Sequence, residues 1–219
     1  MSTRCNPSET SVMSALALAG GMAFLAGATD VYGFVELHGL YVSFMSGNTT
    51  MLGMLLGSHD FARSVDIAML VGLFVLGAAG GEALFNISGN HRTAAVVSAV
   101  SAMLCIPVAQ PHVASLAFVP AMGALNAALT KVNGMSVSLT YVTGALIKFG
   151  QGIGNWVTGR RADLSWTLQA PLWASLLAGS CTAAALQHLD IHRPWPLPII
   201  GSLLAMAALR WEPLRAGFD

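Results

Sequence analysis

Three ionisable side chains lie inside long apolar stretches of this 219-residue sequence, namely Asp30, Glu82 and Lys148. A charge in the hydrocarbon of a membrane is destabilising unless it is paired or hydrated, and such residues commonly mark functional sites. Two roles therefore stay open for Asp30 and Lys148. In the first role, Lys148 forms a buried ion pair with Asp30 or Glu82 that fixes helix packing. In the second role, the charged groups bind a solute or relay a proton. For Glu82, which has glycines beside it, the packing role is favoured.

Two of the apolar stretches also contain clusters of small polar residues. One cluster includes Ser46, Gly47 and Asn48, and the other includes Thr143 and Gly144. Irregular backbone is tolerated at membrane depth only where it is buried in protein or lines a cavity. A helix interrupted at each glycine would offer free N–H groups and carbonyls to a ligand. We therefore expect both clusters to contribute to one binding site.

The two polar clusters belong to a longer internal similarity. Residues 42–47 match residues 139–144 type for type, and the match lies 97 residues apart. Just upstream, residues 27–30 match residues 123–126 at a separation of 96 residues, which places Asn126 in register with Asp30. Two collinear matches at nearly one offset predict an internal duplication.

The composition requires a membrane around most of the chain. Hydrophobic residues make up 55% of the sequence and charged residues only 9%, whereas a soluble domain has about 25% charged residues. The formal net charge is zero and no basic run is present, so a nucleic-acid partner is not expected. The sequence predicts one all-α integral membrane domain in a lipid bilayer.

Eight apolar segments fit this length, but the second and sixth, residues 40–57 and 136–157, are too polar for plain spans. If these two are discontinuous or re-entrant, about six helices cross and basic residues fall seven to two in favour of the cytoplasmic side. The alternative of eight spans gives six to three, so the first arrangement is slightly better. Three crossings per half would make the two repeats, residues 12–110 and 111–211, inverted.

The sequence contains no pattern typical of an enzyme. The metalloprotease, nucleophile-elbow, phosphate-loop and dinucleotide-binding motifs are all missing from it. The histidines lie at or near segment ends, without the spacing of a metal site. We expect neither catalysis nor a cofactor nor a bound metal.

The stretch of residues 39–50, the stretch of residues 139–144 and the region of Asn126 together resemble the hallmark sequences of the YoaK-like family. That family consists of bacterial membrane proteins of unknown function, and the usual number of spans assigned to its members suits the six-span arrangement. The resemblance implies a multi-pass protein of the bacterial cytoplasmic (inner) membrane, and it implies no activity. Relatives often have a basic residue in the first repeat where this chain has Met51, in register with Lys148.

Together these features predict a small-solute transporter or permease, forming a homo-oligomer, with its site between two inverted repeats. The predicted site residues are the following: Asp30, Ser46, Gly47, Asn48, Asn126, Thr143, Gly144 and Lys148. The alternative is a non-transporting membrane scaffold or accessory subunit whose polar groups only hold helices together. A wet cavity that reaches Asn48 and Thr143 would favour transport, and a dry, packed centre would favour the scaffold.

Overall fold

The computed structural model describes residues 7–129, 142–159, 167, 169–189 and 193–216. Within these ranges the chain is helical and contains no β-strand, which confirms the all-α fold. The α-helices are, in chain order, α1 (Pro7–Glu36), α2 (Met45–Gly57), α3 (Phe61–Ile87), α4 (Arg92–Ala109), α5 (Ala114–Leu129), α6 (Val142–Val157), α7 (Gln169–His188) and α8 (Pro196–Ala216). Short 3₁₀ turns precede α4 and α5, at Gly89–His91 and Pro111–Val113.

Three stretches in the described part of the chain are long and apolar enough to cross a bilayer: Met13–Glu36, Phe61–Ile87 and Gly89–Ala109. The outer surface carries many large apolar side chains, and Leu76 on α3 and Trp156 on α6 are 67% and 75% exposed. Leaving one such side chain in water costs about 1.5–3 kcal/mol. Lipid removes this cost, so the exposed apolar surface agrees with a membrane protein.

The helix α2 is too short to cross the bilayer. At about 1.5 Å per residue, its 13 residues extend for only about 20 Å, whereas a hydrocarbon core is about 30 Å thick. It is one of the two segments for which the sequence predicted an incomplete crossing, and the other, residues 136–157, is described only from Val142 onward. The break predicted at Gly47 is misplaced, because the helical path stops at Glu36 and α2 already begins at Met45. The break predicted at Gly144 stays a prediction, since the residues just before Val142 lie outside the described residues.

The centre of the molecule is built mainly from α1, α4 and α5. Met22, Leu25, Leu104 and Phe118 are completely buried there. In α2, by contrast, Asn48 is the one buried residue. The short helix α2 therefore lies at the outside of a packed core.

Close helix contacts in this core depend on glycine. A methyl group added to Gly27 on α1 would collide with the carbonyl group of Leu176 on α7, and one added to Gly179 on α7 would collide with the carbonyl group of Phe24. The Ser180 hydroxyl also donates a hydrogen bond to the Gly27 carbonyl at 3.1 Å. Small residues at these positions let the backbones of α1 and α7 come together.

The same arrangement joins α5 to α3. A methyl group on Gly123 of α5 would collide with the carbonyl group of Phe74, and one on Gly77 of α3 would collide with that of Pro120. Gly123 is the residue that the sequence similarity places in register with Gly27. Two helix pairs, α1 with α7 and α3 with α5, thus share one mode of close packing.

Candidate functional site

Asp30 is buried near the end of α1, where it holds the chain that leads to α2. Its side chain is 5% exposed. The carboxylate accepts hydrogen bonds from the backbone N–H of Ser43 at 2.9 Å and of Val42 at 3.3 Å, and from the Ser43 hydroxyl. Hydrogen bonds to an ionised group are stronger than neutral ones. Asp30 therefore fastens the loop of residues 37–44, the α1–α2 loop, to α1.

The local sequence explains why α1 stops before this loop. His38 and Gly39 both have positive φ angles, of 53° and 95°, and the N–H of Gly39 donates to the carbonyl of Phe34 at 2.8 Å. This is the usual way in which a left-handed residue ends a helix. The helical path is interrupted here, several residues before Gly47, which accounts for the misplaced break.

Asn48 holds the same loop from the side of α2. Its Oδ1 accepts from the N–H of Tyr41 at 3.2 Å, and its Nδ2 donates to the carbonyl of Tyr41 at 2.7 Å. The side chain is only 1% exposed. The α1–α2 loop is thus fixed at two points, by a carboxylate on one helix and by an amide on the other.

The buried ion pair that was predicted as one role for Lys148 is not formed in the described part of the chain. The carboxylate of Asp30 is occupied by Val42 and Ser43, and Glu82 accepts from the Nδ2 of Asn86 at 3.3 Å, one turn along α3. Lys148 is exposed on α6. The charge of Lys148 therefore has to be stabilised by something other than these two carboxylates.

The remaining predicted site residues fall into two groups, one exposed and one buried. Ser46 and Gly47 are exposed in the first turn of α2, and Thr143 is exposed in the first turn of α6, whereas Gly144 is buried. Asn126 is buried on α5, and its Nδ2 donates to the Met122 carbonyl at 2.8 Å. Part of the second motif, residues 139–141, lies outside the described residues. The structure brings Asp30 and Asn48 to one loop, and Thr143, Gly144 and Lys148 to one helix.

A polar face on α6 was missed at the level of sequence. Lys148, Gln151, Asn155 and Thr158 follow one another at spacings of three or four residues, so they lie on one side of the helix. The other side carries large apolar residues, all exposed: Leu146, Ile153, Trp156 and Val157. The recurrence of polar residues at i, i+3 and i+7 was the available signal.

An open groove of about 790 Å³ follows this polar face. Among the described residues it is lined by Gln151, Gly154, Asn155 and Thr158. The Thr158 hydroxyl donates to the Gly154 carbonyl at 2.9 Å, whereas no hydrogen bond within the described structure occupies the amides of Gln151 and Asn155. No group of three His, Cys, Asp or Glu residues that could hold a metal occurs in the part of the chain that the structure describes. Chemically, the groove offers a row of hydrogen-bonding groups.

Comparisons with known proteins agree with the sequence resemblance. Residues 18–209 match a family described as a protein of unknown function, DUF1275. The chain is also 37% identical over 203 residues to a UPF0700 transmembrane protein of Rhizobium meliloti (strain 1021), an alignment that covers 91% of this chain and 88% of that relative. No solved structure matches the chain.

Proposed function

We propose that this chain, which belongs to the DUF1275 family and is a membrane protein, moves small polar solutes across the bilayer and is not an enzyme. The observation that carries the proposal is the short helix α2. Its 13 residues end before it could cross the hydrocarbon core. Helices that reach only part of the way are typical of secondary transporters, in which they expose polar groups at a solute site.

The reciprocal glycine contacts support a duplicated architecture for this transporter. Gly123 lies 96 residues after Gly27, and Gly179 lies 102 residues after Gly77. In each repeat the first helix therefore packs closely against the third helix of the other repeat. We propose that residues 12–110 and 111–211 are inverted repeats, in a multi-pass protein of the bacterial inner membrane that assembles as a homo-oligomer.

The polar face of α6 is the best candidate for the wall of the solute path. Polar side chains at membrane depth need water or protein around them. Gln151 is exposed and Asn155 is half-buried, and both line an open groove. A water-filled groove satisfies these amides and admits a solute of similar polarity.

One observation favours the rival function of a non-transporting scaffold. Asp30 and Asn48, two of the predicted solute ligands, form hydrogen bonds with the α1–α2 loop. Residues of this kind fix a structure rather than bind a ligand. A scaffold would need the same loop, but it would have no use for the groove beside α6.

Flux into vesicles distinguishes the two functions. The purified protein is reconstituted into liposomes, and the entry of labelled ribose, choline, succinate and inorganic phosphate is compared with that into protein-free vesicles. We expect the protein to accelerate the entry of at least one solute. The double substitution Gln151→Leu with Asn155→Leu should abolish this flux, while Ile153→Leu on the opposite face should preserve it. No acceleration of any of the four solutes would overturn transport in favour of the scaffold.

A further inference from the structure

We propose that the polar face of α6 recognises a small oxyanion and that Lys148 supplies the charge that selects it. The inference rests on the proposed transport function and specifies the class of solute. Its starting point is the placement of one cation on the same helix face as the amides that line the groove.

No carboxylate in the described helices pairs with Lys148, so its charge is available to a ligand. Lys148 is exposed, and it forms no ion pair with a carboxylate in the described structure. Asp30 is buried and bonded to the α1–α2 loop. A cation in a membrane protein that is not neutralised by a carboxylate must face water or an anion. Lys148 lies one helical turn before Gln151, which lines the groove.

The side chains that follow Lys148 on the same helix face add hydrogen-bonding groups to its positive charge. Gln151 and Asn155 follow Lys148 by three and seven residues, which corresponds to about 4.5 and 10.5 Å along a helix axis. Their amide NH₂ groups are hydrogen-bond donors. A solute with a negatively charged end and further oxygen atoms could therefore be held by the ammonium group and by two amides in succession.

The chemistry favours an oxyanion over a neutral or cationic solute. Amide side chains both donate and accept hydrogen bonds, so on their own they would not discriminate between anionic and cationic solutes. The ammonium group has three donors and no acceptor, and its hydrogen bonds to carboxylate or phosphate oxygens are charge-assisted. A cationic solute would be repelled, and a neutral one would leave the positive charge uncompensated. Carboxylates and phosphate share this recognition, so both are included as probes.

The test uses the reconstituted full chain and the same four labelled solutes. We expect succinate or inorganic phosphate to enter faster than into protein-free vesicles, and ribose and choline not to do so. Lys148→Gln should reduce the oxyanion flux about 10- to 100-fold, the size expected for the loss of one charged hydrogen bond. Lys148→Arg, which keeps the charge, should retain most of the flux. Because Lys148 is exposed, the unfolding midpoint of Lys148→Gln should stay at that of the parent.

The outcomes separate this inference from the function on which it rests. Entry of ribose or choline without entry of either oxyanion would overturn the oxyanion site and leave transport standing. Oxyanion flux that is equal in the parent and in Lys148→Gln would overturn the role of Lys148. No flux of any solute would remove transport, and the oxyanion site with it. If succinate enters and phosphate does not, the oxyanion is a carboxylate, and the reverse result identifies phosphate.

Discussion

The helices α2 and α6 occupy corresponding places in the predicted repeats but present different surfaces. The loop before α2 is fastened by Asp30 and Asn48. At the offset of 97 residues, Asn48 corresponds to Ala145, so α6 lacks the amide that holds the loop in the first repeat. The two helices thus differ at the position of the residue that anchors the loop.

The outward-facing side chains of the two helices also differ, and here α6 is the more polar helix. On α2, Met51 and Met54 are exposed apolar residues, and Met54 is 68% exposed. The residues in register with them on α6 are Lys148 and Gln151. The comparison teaches that these two register positions are apolar on α2 and polar on α6. The polar Asn48 of α2 fixes a loop, whereas the polar residues of α6 lie on one helix face.

The largest effect on stability is expected from the anchor of the α1–α2 loop. Asp30→Ala leaves the buried N–H groups of Val42 and Ser43 without their acceptor, which should cost about 3 kcal/mol. Unfolding by SDS titration in bicelles measures the loss, and hydrogen exchange should show the loop opening. Asp30→Asn keeps one acceptor oxygen and should lose less. A loss of equal size in Lys148→Met would contradict this assignment, because it would indicate that the two charged residues form a pair.

The second anchor should have a smaller effect. Asn48→Ala removes two hydrogen bonds to the backbone of Tyr41, each worth about 1 kcal/mol, so a loss of about 2 kcal/mol is expected in the same titration. Thr49→Ala is the matched control, since the exposed Thr49 hydroxyl bonds only to the Met45 carbonyl of its own helix. The control should change the unfolding free energy by less than about 0.5 kcal/mol. Equal losses in both variants would show that Asn48 is not an anchor.

Exchanging one side chain between the helices sharpens the comparison further. Met54→Gln places an amide on an apolar, lipid-facing surface and should cost about 1 kcal/mol of stability in bicelles. The reverse change, Gln151→Met, should leave stability unchanged and reduce solute flux in vesicles. If Met54→Gln is neutral while Gln151→Met is destabilising, the lipid-facing and water-facing assignments are reversed.

How far the sequence predicted this structure depends on the kind of signal. Composition and apolar segments predicted the all-α membrane fold, because the cost of exposing polar backbone to lipid leaves few alternatives. The short length of α2 was also anticipated, from the polar cluster at Ser46–Asn48, whereas the matching prediction for the second repeat falls partly on residues outside the described ranges. These features follow from local sequence, and predicting them does not require knowing which helices pack together.

The tertiary details were not predictable in the same way. A glycine among polar residues suggested a helix break at Gly47, but the end of α1 is set by the left-handed residue His38 and by the bonds that Asp30 makes across the loop. Those bonds join residues more than ten positions apart, so no local pattern reveals them. For the same reason Asp30 was grouped with Lys148 by charge, although the structure assigns the partners of Asp30 to backbone N–H groups.

Accessibility of single cysteines tests the central claim, that the polar face of α6 lines water while the matching face of α2 meets lipid. In a background from which Cys5, Cys105 and Cys181 have been removed, cysteines are placed at Gln151, Asn155, Ile153 and Met54. The protein is labelled in vesicles with a membrane-impermeant methanethiosulfonate reagent, whose sulfur is attacked by the thiolate that forms in water, with release of methanesulfinate. We predict that Gln151→Cys and Asn155→Cys react several times faster than Ile153→Cys and Met54→Cys. Equal rates at Gln151→Cys and Met54→Cys, or a rate at Gln151→Cys as slow as that at Ile153→Cys, would contradict the account.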